Sequence, residues 1–154
     1  MFTETLDELR TWPNDRLHAA RDDAVIEERR WRLRRVALDR VLDERGATGP
    51  DAVEWVQDRD KVRATTARAE VEVARRLDEL PELAAKADAG ELSFDQLEHL
   101  VHLATPETDA EWAQRGPQAA PSDLARLVQR QRVVSAAEAD ARHQAREFRW
   151  WRKG

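Results

Sequence analysis

Ala24-Val25-Ile26-Glu27-Glu28-Arg29-Arg30-Trp31-Arg32-Leu33-Arg34-Arg35-Val36-Ala37-Leu38-Asp39-Arg40-Val41-Leu42 is the stretch that decides the fold class. Ile26, Leu33, Ala37 and Val41 recur at spacings of seven and four, with Val36, Leu38 and Leu42 beside them. That pattern is one apolar stripe on a charged α-helix. It predicts a helix over about residues 20–45. Gly46 follows the last turn and suits a left-handed position. Thr48-Gly49-Pro50-Asp51 reads as a turn, and Ala52 to Asp58 as a short helix carrying Val53, Trp55 and Val56.

Helical periodicity continues outward from this stretch, and no segment alternates with period two. Ala67, Val71, Ala74 and Leu77 predict a helix from Thr65 or Thr66 to Leu80, interrupted by Pro81. A short helix, Glu82 to Ala89, ends at Gly90. Ser93-Phe94-Asp95-Gln96 is a capping box that opens a helix through Leu97, Leu100, Val101 and Ala104. Thr105-Pro106-Glu107 reads as another start, for a helix that passes Trp112 and stops near Gly116-Pro117. Pro121-Ser122-Asp123 opens the last helix, with Ser122 as its cap and Leu124, Leu127, Val128 and Val134 as its apolar face. Beyond Ser135 apolar anchors nearly vanish, which predicts a solvated helical arm. The expectation is an all-α, multi-helix domain with a long N-terminal helix, short capped helices and a long C-terminal helix. Residues 1–19 form a partly helical extension, 20–151 a single helical domain and 152–154 a tail.

Composition narrows the function. The chain has 154 residues, no cysteine and 37% charged residues, so disulfides and thiolate metal sites are excluded. No apolar run approaches the ~20 residues of a membrane span. The acidic N-terminus lacks a signal-peptide pattern, so a cytoplasmic location and no membrane partner are expected. The net charge of -5 is unevenly distributed. Residues 29–40 carry +5, 78–111 carry -9 and 126–154 carry +5. Arginine outnumbers lysine 23 to 3, which favours bidentate contact with carboxylate or phosphate.

Chemistry-bearing constellations are sparse. His99 and His102 lie three apart, but H-E-x-x-H spacing and a third ligand are lacking, so no metal site is expected. Tyrosine, a G-x-S-x-G elbow and a Gly-rich phosphate loop are all absent, so no catalytic residue and no cofactor are assigned. Arg29, Arg30, Arg32, Arg34 and Arg35, interleaved with Trp31, can hold phosphates and stack a base. The alternative is pairing with Glu27, Glu28, Asp39 or the acidic 78–111 segment, with Leu33 and Trp31 facing the core. Arg126, Arg130 and Arg132, with Gln129, suit the second helix of a helix-turn-helix, although the Gly116–Pro121 connection is long for that motif. Phe148, Trp150 and Trp151 form an apolar terminal cluster suited to an interface. Its partner would be a second copy or a following domain.

Several blocks together carry a family resemblance. They are Gly46-Ala47-Thr48, Val53-Glu54-Trp55-Val56, Ala67-Arg68-Ala69-Glu70-Val71 and Ala74-Arg75-Arg76-Leu77-Asp78-Glu79-Leu80-Pro81. Ala89-Gly90-Glu91-Leu92-Ser93-Phe94-Asp95-Gln96, Leu124-Ala125-Arg126-Leu127-Val128 and Arg149-Trp150-Trp151 complete the series. The chain resembles, over about residues 20–151, the domain of unknown function 222 family, found at the N-terminus of actinobacterial HNH endonuclease-like proteins. The resemblance implies association with nucleic acid. The nuclease module of such proteins is built on His and Asn around a metal. This chain has one asparagine, Asn14, near His18, and no catalytic residue carries over. The expected function is a non-catalytic, DNA-binding or DNA-positioning module, with a protein-interaction or dimerisation module as the alternative.

Overall fold

The computed structural model describes the backbone of residues 3–151 and the side chains up to Arg146. Among the described residues there are eight α-helices, one 3-10 turn and no strand, as the periodicity predicts. The helices are α1 (Leu6–Arg10), α2 (Asn14–Glu44), α3 (Ala52–Asp60), α4 (Ala64–Leu77), α5 (Pro81–Asp88), α6 (Phe94–Leu103), α7 (Asp109–Arg115) and α8 (Pro121–Trp151), with the 3-10 turn at Gly116–Gln118. None is long and apolar enough to cross a membrane.

Local signals set most boundaries. Ser93 Oγ accepts from the Gln96 N–H at 3.1 Å, and Gln96 Oε1 accepts from the Ser93 N–H at 2.9 Å, so the capping box at α6 is formed. Asp51 caps α3 by accepting from the Val53 and Glu54 N–H groups. Gly46 adopts φ +70 after α2. Three expected starts shift. The long helix α2 begins at Asn14, where extended Pro13 precedes it, and not where the apolar pattern begins. α8 starts at Pro121, so Ser122 lies inside its first turn and is not the cap. α7 starts at Asp109, because Thr105 and Thr108 close a turn of their own: the Thr105 N–H donates to Thr108 Oγ1 at 2.9 Å.

The core is built mainly by α4 to α6 and the start of α8. Leu80, Leu83, Leu92, Leu100 and Leu124 are its largest fully buried side chains, with Val73, Leu97, Val101 and Val128 around them. α2 packs on α4 and α5, α3 on α4, α4 on α6, α5 on α7, and α6 on α8. Long-range hydrogen bonds lock this stack. Asp109, 3% exposed, reaches from α7 to accept from the Glu82 and Leu83 N–H groups, capping α5 in trans. The Gln96 amide donates to the carbonyls of Gly116, Pro117 and Ala119. Arg76 donates to the Val101 and Ala104 carbonyls at the end of α6.

The stripe on α2 is corrected. Only Val36 is buried there. Trp31 (65% exposed), Leu38 (56%) and Val41 face solvent, while Leu33 is partly buried against the core. The side turned to the domain carries Arg29, Arg32, Arg35 and Arg40 around Val36. The α8 helix leaves the domain after Val128, and residues 129–146 are exposed throughout.

Candidate nucleic-acid interface

The structure divides the sequence-predicted arginines into two groups. Arg29, Arg32 and Arg35 are committed internally. Arg29 Nη1 donates to the Gly90 carbonyl at 3.1 Å. Arg32 donates through Nε and Nη2 to Glu70 Oε1 at 3.1 and 3.0 Å, and its guanidinium lies 3.9 Å over the Phe94 ring. Arg35 donates to the same Glu70 oxygen at 2.8 Å, and also to Asp39 and Asp60. The remaining two of that run, Arg30 and Arg34, face outward. Arg30 sits 3.4 Å from Glu27, and Arg34 lies 6.0 Å over the Trp31 ring.

Glu70 is the reason for the inward turn. It is 2% exposed in the inner face of α4, beside Ala67, Val73 and Ala74. A carboxylate so placed requires paired cations. The helical register of α2 brings Arg32 and Arg35, three residues apart, onto it together. Its second oxygen, Oε2, is buried without a hydrogen-bond partner. Burial outweighs Arg35 at Asp39 and, with repulsion from Asp60 and Glu70, holds that carboxyl above its ordinary range. For Arg35 burial acts the other way, but Glu70, Asp60 and Asp39 together keep its guanidinium more firmly protonated than usual. The acids that engage these arginines are thus Glu70, Asp60 and Asp39. From the acidic 78–111 segment, Asp78 meets α2 at Arg40.

On α8 the picture differs. Arg126 pairs with Asp123 at 3.3 Å, both well exposed, a contact of small energetic consequence. Arg130 and Arg132 are exposed and meet no carboxylate among the described residues. Arg132 and Gln129 border an open groove of about 580 Å³ between α4, α6 and α8. Arg68, His99 and His102 stand on its other walls, Val101, Ala125 and Val128 form its apolar floor, and Glu72 and Glu98 are also present. Arg68 likewise has no carboxylate partner among the described residues.

The two basic stretches are not joined into one surface. α2 packs on α4 and α5, whereas α8 packs on α6. Among the described residues no cluster of three or more His, Asp or Glu could hold a metal ion. The side chains of Phe148, Trp150 and Trp151 lie outside the described residues. Sequence reasoning missed Glu70, Asp109 and Arg68. For Glu70 a signal existed: an acid three residues after Ala67 and three before Val73, inside an apolar stripe. Asp109 had none, since its function is to cap a helix 26 residues earlier.

No family model, curated protein or solved structure matches the chain.

Proposed function

We propose that this domain is a non-catalytic, nucleic-acid-associated module that contacts phosphates through α8 and the adjoining groove. The observation that carries this reading is a group of three exposed arginines that meet no carboxylate among the described residues, Arg130 and Arg132 on α8 and Arg68 on α4, with Arg132 and Arg68 lining one groove. Arg126 and Gln129 extend the set along α8, and the resemblance to the N-terminal region of HNH endonuclease-like proteins supports it by association. Arg30 and Arg34 of the α2 run stay exposed, beside Glu27 and Trp31, and lie apart from this surface. Arg29, Arg32 and Arg35 serve the fold.

Fluorescence anisotropy with duplex and single-stranded DNA at ~50 mM salt tests the proposal. Binding that weakens steeply with salt is expected. Arg130→Glu with Arg132→Glu should weaken it by at least ~10-fold and flatten the salt dependence, since two phosphate contacts are lost. Absence of binding to either DNA at low salt would overturn it. A second reading, a protein-interaction module, is favoured by the exposed apolar side chains of α2.

A further inference from the structure

We propose that the outer face of α2 is a self-association surface that pairs antiparallel with α2 of a second copy about a two-fold axis. Trp31, Leu38 and Val41 are 65%, 56% and 42% exposed and lie on one side of the helix. Their spacings of seven and three return to that side after about two turns and about one turn. A Trp and a Leu this exposed, on a 31-residue helix, form a hydrophobic strip that no element of the chain covers among the described residues.

The charges around the strip identify the occupant. Arg34 and Arg45 meet no acid among the described residues, and Glu27 has only the exposed Arg30 at 3.4 Å. Glu27, Arg34 and Arg45 flank the apolar residues on the same outward side. Placing the two-fold axis at the level of residue 36 sets Trp31 against Val41 of the other copy. Arg34 then lies against Leu38, its aliphatic stem covering the leucine, and Glu27 lies against Arg45. By symmetry each contact occurs twice, over about 27 Å of helix. A parallel pairing would instead set Arg34 on Arg34 and Arg45 on Arg45, a repulsive arrangement. A nucleic acid on this face would meet Glu27 and leave the apolar strip unpaired. The proposal does not rest on DNA binding, because the mass of the complex is read without DNA.

Sedimentation equilibrium on the full chain from ~1 to ~200 μM tests it. The mass should rise from 17.8 kDa towards twice that value with concentration. Leu38→Asp and Glu27→Arg should each raise the dissociation constant by about tenfold or more. The combination Glu27→Arg with Arg45→Glu should restore it to within a few-fold, because the exchanged charges face each other again. Circular dichroism checks that these exposed substitutions leave helicity unchanged, and melting as well at the dilute end of the range, where association no longer stabilises the fold. The chain has no cysteine, so mixing an Arg34→Cys chain with a Leu38→Cys chain under a mild oxidant should give a cross-link stronger than either alone. A monomer at every concentration would overturn the proposal, as would a dimer insensitive to both single substitutions. Failure of the charge exchange to rescue, or preferential cross-linking of Leu38→Cys to itself, would overturn the antiparallel pairing.

Discussion

At the residue scale, one carboxylate organises the interface between α2 and α4. Glu70 Oε1 accepts from both Arg32 and Arg35, and Oε2 has no partner. Glu70→Gln leaves two guanidiniums facing a neutral amide. The expected loss is about 2 kcal/mol, below that of a fully buried pair because both arginines are partly exposed. Urea unfolding at neutral pH measures it, and a midpoint equal to wild type would show the cluster to be energetically idle. Asp39 makes the opposite contribution. Its folded-state pKa is raised, so the native state holds its proton at pH values where the unfolded chain has released it. Stability from this group is therefore present at low pH and declines as pH rises from about 4, the ordinary aspartate value, through the raised folded value. Asp39→Asn removes that decline. The variant should gain stability relative to wild type as pH is taken from ~4 to 7, read from urea midpoints across the range.

At the element scale, Gly90 joins two helices to a third. It adopts φ +76 after α5, and its carbonyl accepts from Arg29 of α2. A Cβ at this position would lie 2.7 Å from Ile26 Cγ2 and 3.0 Å from the Ile26 carbonyl oxygen. Gly90→Ala therefore meets both a left-handed backbone and a clash with the Ile26 methyl group, and should cost about 2 kcal/mol. Thermal melting checks this, and a variant that melts with wild type would refute the close approach. The same elements show what was legible. The Ser93–Gln96 box, Gly46, Gly90 and Pro81 are local signals, and the chain obeys them because caps and turns are made within four residues. Ser122 and Thr105 carried equally good cap chemistry, yet Pro121 took the first position of α8 and Thr108 captured Thr105. Competing local partners separated by one to three residues cannot be ranked from residue type alone.

At the scale of the whole molecule, the proposed faces are physically separate. Arg130 and Arg132 lie on α8, against α6, and the apolar strip lies on α2, against α4 and α5. Arg130→Glu with Arg132→Glu should therefore change DNA affinity without changing molecular mass, and Leu38→Asp should change mass without abolishing a low-salt DNA contact. The sequence by itself determined that the chain is all-α, where most of its short helices begin and end, and that charge is segregated into basic and acidic stretches. These follow from periodicity, caps and composition, which act over a few residues. Only the tertiary structure decided which side of α2 faces inward and which arginines remain available. Apolar and basic residues occupy nearly every side of that helix, so its own pattern is ambiguous. The choice is made by Glu70, 35 to 38 residues away, whose burial draws in Arg32 and Arg35 and turns Trp31 and Leu38 out to water.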